Sequence, residues 1–514
     1  MKEKNLKKFK FVVFFLITLT FKPLWLFNNQ NLGNPGDDMS YWLHASTLAF
    51  DKDLNYINDY SINSDIFNPE TNAPQHPPGA GYLASPFVLL LNQFDKAFIG
   101  SVKTTRTNPV KSFAYVGFFL SGLFYVYIGS YLLSKVIKRF KNKYSGLIIF
   151  CGLISTLIHF VSTRFLMAHA VEFFLCSVLL FIYEKDEEKK LSNLDIFLLS
   201  LTYFLLLITR PSTFLYSIIL IFLYRNKFMI SKKSFIISLF QVTVYLNVYR
   251  FLSNKLYQNN YMFLNTYGNN MDEYSTDFNF EQIFLGILKL PIFFISTNMG
   301  VIFSTPIVFI ALFLFITKYL KIKSKLLNKI IFILFFGAGL LPVLIWQGRE
   351  VAYGQRLLIG LIPMCIFIAC KYLTNYYLAI FTKILTFFTY LGYLFFYSSE
   401  SLTLRRGITL WGTEVGFTAE NYYFEVLKAL FNFETIVSML LRNIYSVNLF
   451  KFLNLREIVV NYSITNSLSF QKIEKFLTYS DNYLNLELSY LLTVNLIIFI
   501  FSYLYTKLIF ETLK

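Results

Sequence analysis

Two adjacent carboxylates, Asp37 and Asp38, stand shortly after the first long apolar run of the chain and just before a stretch of mixed polarity. A carboxylate so placed can take a proton from a hydroxyl group as a general base, and Asp38 can also cap the helix that follows. Downstream, Gln75-His76-Pro77-Pro78-Gly79 sets the backbone where a helix can begin, because proline is pre-organised for a first turn. His76 then stands at a helix entrance, where it can donate a hydrogen bond to an anion such as phosphate or bond the local backbone. Arg164, His169 and Glu172 lie between two further apolar runs, and ionisable groups at such a boundary are either functional or paired. His169 and Glu172 are three apart and share a helix face. A mutual hydrogen bond and a metal pair are both open there, so a divalent metal is compatible with the residue types, and no cofactor is identified by them. Arg210, in Arg210-Pro211-Ser212, and Arg356, in Tyr353-Gly354-Gln355-Arg356, recur at the ends of apolar runs. Each guanidinium presents a planar fork suited to phosphate oxygens, or it snorkels to lipid headgroups.

The elements that must position these groups are apolar. The chain has 514 residues, of which 55% are hydrophobic and only 15% charged, well under the roughly 25% charge of soluble domains. Apolar runs near 11–27, 112–134, 145–162, 167–183, 194–209, 212–224, 234–251, 300–317, 330–346, 357–370, 379–397 and 488–506 predict about twelve transmembrane helices, within a range of about 10 to 13. The fold class expected is therefore an all-α integral membrane protein. No small-residue cleavage motif follows the first run, which reads as a retained helix rather than a signal peptide. The net charge of +17 does not point to nucleic acid, because the lysines and arginines fall in short clusters between apolar runs. The basic segments 1–10, 135–143, 225–233 and 318–329 alternate with the apolar runs as cytoplasmic loops do. This predicts cytoplasmic termini and a site on the opposite, external face, with 28–111, 252–299 and 398–487 as long external segments. Within them, 39–50, 81–99 and 420–478 read as interfacial amphipathic helices, and 282–297, interrupted by Pro291, as a surface or re-entrant segment. The four cysteines lie inside apolar runs without metal-site spacing and read as small core residues.

An Asp pair after the first helix, an external His-Pro-Pro-Gly, an Ala-His-Ala at the top of a later helix and a late Tyr-Gly-Gln-Arg, in that order, resemble the GT-C superfamily of glycosyltransferases. Nearest in style are the bacterial relatives of protein O-mannosyltransferases and the transferases that add aminoarabinose or galacturonic acid to lipopolysaccharide. The resemblance spans roughly residues 1–370. It implies a polyprenyl-phosphate sugar donor, a lipid, glycan or protein acceptor, inversion at the sugar, and a bacterial inner-membrane enzyme acting on the external face. It also implies a catalytic role for the first carboxylate, Asp37, where relatives often have Asp-Glu rather than Asp37-Asp38. His76 matches the His-Pro-Pro motif, Arg356 a basic residue near the donor phosphate, and His169 matches less closely. The organisation expected is a catalytic module over 1–397, an external helical segment over 398–487 and a last helix with a cytoplasmic tail over 488–514. A lipid-linked polysaccharide polymerase or ligase shares the carrier and the membrane face. A secondary transporter shares the helix number, though transporters tend to carry internal repeats, and none is seen here.

Overall fold

The computed structural model describes residues 3–21, 37–56, 74, 76–98, 112–186, 189–228, 232–257, 280–295, 300–321, 326–345, 355–398, 427, 431 and 488–513. Every element among them is helical and none is a strand. Among the described residues, each apolar run read from the sequence falls on helix. Four helices, within Phe113–Phe140, Ile236–Leu256, Tyr376–Leu394 and Ser489–Leu513, are long and apolar enough to cross a bilayer. Large apolar side chains on the second of these face outward, Leu239 at 57% and Phe240 at 70% exposure, as expected where lipid replaces water.

Several of the remaining runs are broken, and the breaks have local causes. Pro211 and Pro306 each stand at the first position of a helix, Pro211–Ser217 and Pro306–Thr317. A proline drives the residue before it out of helical geometry, and both Arg210 (φ −146°) and Thr305 (φ −142°) lie outside it. The 145–162 run divides at Ser155 into Ser145–Ile154 and Leu157–Ser162. Polar backbone exposed by such breaks needs partners in an apolar setting. Thr156 supplies them: its hydroxyl lies 2.7 Å from that of Thr305 and accepts from the Gln355 N–H at 2.9 Å.

The mixed-polarity stretch around 39–50 folds as the helix Asp37–Ser46 and a π-helical turn, Thr47–Asp51. It does not lie on a surface: Met39 to Thr47 are all buried, Tyr41 and Trp42 completely. Its aromatic side chains pack against the start of Phe113–Ile137, with the Trp42 and Tyr115 rings 5.6 Å apart. The 81–99 stretch is the helix Gly79–Phe98. It is tied to Phe113–Ile137 by Asp95, whose carboxylate accepts from the Phe113 and Ala114 N–H groups at 2.7 and 2.8 Å. Those first-turn donors have no partner within their own helix. Pro291 lies inside the helix Phe280–Ile295. The 420–478 stretch falls outside the described residues apart from Leu427 and Phe431.

The helices also sort their charges. His169–Glu184 carries His169 at one end and Glu184 at the other, and Pro211–Ser217 followed by Ile219–Leu223 runs from Arg210 to Arg225. The turns 138–140, 225–227 and 319–321 gather at the Glu184 end: Arg139 pairs with Glu184, Lys227 donates to the Tyr183 and Asp186 carbonyls, and Arg225 donates to Asn328. The basic turns around 138–140 and 225–227 therefore share one end with Asn328, and the carboxylates and arginines of interest lie at the other.

Candidate functional site

Asp37 begins its helix, so Asp38 sits inside the first turn rather than at the cap. Asp38 is 3% exposed, and its carboxylate accepts from Arg164 Nε at 3.1 Å. Arg164 reaches it from the turn that joins Leu157–Ser162 to His169–Glu184. The helix Gly79–Phe98 starts directly after Pro77-Pro78, as the prolines predict, and His76 packs its ring 5.3 Å from that of Tyr41. His44 holds this entrance in place: its Nε2–H donates to the His76 carbonyl at 2.8 Å and its Nδ1 accepts from the Tyr56 hydroxyl at 2.6 Å. Burial pushes the His44 imidazole down to about 3, so it stays neutral and keeps both bonds. Gly79 brings the entrance against the next part of the site, because a Cβ there would overlap Thr209 Oγ1 and lie 2.8 Å from the Ile208 carbonyl.

Arg210, freed from the helix by Pro211, turns its guanidinium toward Glu172, with Nε 3.5 Å from Oε2. The same oxygen accepts from His169 Nδ1 at 2.8 Å, and the other carboxylate oxygen accepts from the Thr213 hydroxyl. His169 and Glu172 are both fully buried. Of the two alternatives for this pair, the hydrogen bond is the one formed. Since Nδ1 donates to the carboxylate, Nε2 carries the lone pair, and it has no hydrogen-bond partner among the described residues. Arg356 opens the 3₁₀ turn Arg356–Leu361, which packs Gly360 against Glu172. Among the described residues no group of three His, Cys, Asp or Glu side chains comes within reach of one metal ion.

Glu172 is the hub, and the sequence marked it only as a partner of His169. The available signal was a carboxylate inside an apolar run, where an unpaired charge is expensive. Gly360 was not marked at all. A Cβ there would overlap the Tyr216 hydroxyl and lie 2.8 Å from Glu172 Oε1, so the absence of a side chain lets the Arg356 turn close over the carboxylate. Gly360→Ala is expected to lower unfolding stability by about 1–3 kcal/mol through overpacking. Gly337→Ala is the control: nothing lies within 4 Å of its added Cβ, and alanine in a helix is favoured by roughly 0.5–1 kcal/mol. Equal unfolding midpoints for the two variants would show that the Arg356 turn is not packed on Glu172.

The structure thus brings Asp38, His76, Arg164, His169, Arg210 and Arg356 to one end of the bundle, in two linked groups. The Asp37 side chain and the segment 346–354, with Arg349 and Glu350, lie outside the described residues. All four cysteines are buried free thiols in the core. No protein-family model, curated protein or solved structure matches the chain.

Proposed function

We propose that this chain is a membrane glycosyltransferase of about twelve spans, which moves a sugar from a polyprenyl-phosphate donor to a hydroxyl acceptor on the external face of a bacterial plasma membrane. The observation that carries this reading is the convergence of Asp38, the His76 helix entrance and the three guanidinium groups Arg164, Arg210 and Arg356 at the end of the bundle away from the basic turns. An inverting transfer needs a carboxylate to take the acceptor hydroxyl proton as its oxygen bonds the anomeric carbon. The bond from that carbon to the phosphate oxygen breaks, and the electron pair leaves with the phosphate. The leaving group needs cationic stabilisation rather than an acid, and arginine forks supply it. In this reading Asp37 is the base. Asp38, engaged by Arg164, positions the helix that presents it. A second carboxylate flanking the sugar, as a hydrolase requires, is not needed.

Arg356 then acts on the donor phosphate. Arg356→Ala is expected to weaken donor binding more than Arg356→Lys, because lysine keeps the charge and loses the fork. The measurement is binding of a polyprenyl-phosphate sugar to the purified variants in nanodiscs. Unchanged affinity in both would return Arg356 to a headgroup anchor.

A further inference from the structure

The basic end of the bundle holds a cluster that the proposed transfer does not use. The turn Lys138–Phe140 and the end of the helix Ile362–Tyr372 meet there, with the Phe140 and Phe367 rings 5.3 Å apart. Two cations share those rings. Arg139 lies 5.0 and 5.7 Å from the Phe140 and Phe367 centroids, and Lys371 lies 5.9 and 6.0 Å from the same two and 5.7 Å from Tyr372. Arg139 is paired with Glu184. Lys371, Lys138, Lys141 and Lys143 are exposed and have no carboxylate within ion-pair distance among the described residues.

The cluster is held rigidly. Asn142 donates to the Cys370 and Leu373 carbonyls at 2.8 and 2.9 Å, and its own amide oxygen accepts from the Tyr144 N–H at 2.9 Å. The basic turn is thereby fastened to the end of Ile362–Tyr372, with Lys141 in the left-handed region at φ 47°, a conformation that a non-glycine residue adopts only where its surroundings impose it. Just beyond Lys371, Tyr376 and Tyr377 are 62% and 79% exposed. Exposed tyrosines beside lysines, next to apolar helices, mark headgroup depth in a bilayer.

We propose that this cluster is a binding site for the headgroup of an anionic phospholipid. The phosphate lies among Lys371, Lys138, Lys141 and Lys143, and the acyl chains run down the exposed apolar face of the helix Tyr376–Ser398, where Phe381, Ile384 and Phe387 are 41%, 60% and 59% exposed. Lipid is favoured over a soluble anion because the lysines stand beside that exposed apolar face, with the Lys371 stem and the exposed Tyr376 and Tyr377 rings at the level of the glycerol and first methylenes. Nothing in the site depends on the transferase reading.

The test uses the full chain in nanodiscs of phosphatidylcholine alone or mixed with phosphatidylglycerol, with retained lipid counted by native mass spectrometry and unfolding followed by heating. Phosphatidylglycerol should be retained in preference to phosphatidylcholine and raise the unfolding midpoint. Each lysine near the surface is worth about 5-fold in affinity, so the exposed pair Lys143→Gln with Lys371→Gln should lower retention about 25-fold. The corresponding arginine pair should keep it. Equal retention of the two lipids by the wild-type chain, or unchanged retention in a folded glutamine pair, would overturn the proposal. So would a midpoint shift reproduced by inorganic phosphate alone.

Discussion

Asp37→Asn is expected to slow sugar transfer about 100-fold to 10,000-fold, the range that general-base assistance contributes, while folding and donor binding persist. The substitution changes almost no volume and removes only the basicity that a proton transfer requires. Asp38→Asn should behave differently. Its carboxylate is 3% exposed and engaged by Arg164, so an amide there loosens the Asp37–Ser46 helix against the Arg164 turn and costs stability along with turnover. Transfer from a polyprenyl-phosphate sugar by purified variants in nanodiscs, with donor affinity followed separately, distinguishes the two. Near wild-type transfer by Asp37→Asn with a dead Asp38→Asn would exchange the roles. Activity in both variants would make the carboxylates structural and end the mechanism proposed here.

The largest effect on stability is expected at Glu172. Removing one partner of a buried ion pair leaves an uncompensated charge, at about 3–5 kcal/mol, and Glu172→Ala leaves Arg210 in that position. It also deprives His169 and Thr213 of their acceptor. Arg210 retains some exposure, 11% of its side chain, which places the expected loss toward the lower end of that range. The double variant Glu172→Leu with Arg210→Met removes both charges, and it should recover most of the stability lost in either single variant, as buried pairs replaced by apolar residues of similar size do. Unfolding in mixed micelles measures all three. Simple additivity would mean that the two residues do not interact and that Glu172 is not the centre of the site. Recovered stability without recovered transfer would separate the structural role of the pair from Arg210 as a phosphate ligand.

The apolar runs determined the helices, since burying about 20 successive apolar residues in protein or in lipid leaves the backbone no other way to satisfy its own hydrogen bonds. The prolines before Gly79 marked a helix start through their fixed φ and missing N–H, and the start is where they predict, whereas the start at Pro306 interrupts a run that reads as unbroken. Clusters of lysine and arginine showed which turns share an end. A residue's partners across the fold are a different matter. Asp38 and Arg164 are 126 positions apart, and Glu172 and Thr213 are 41 apart, so no local periodicity relates them. The 39–50 stretch has the polarity of a surface helix, yet it is enclosed, because Tyr41 and Trp42 find aromatic and apolar neighbours on elements far along the chain. Likewise Gly360 is an ordinary glycine in the sequence, and only the approach of Tyr216 and Glu172 makes its missing Cβ matter. Local chemistry thus set the elements and the types of charge available. Helix packing alone decided that one buried carboxylate, Glu172, already within reach of His169 on its own helix, would also receive an arginine and a threonine.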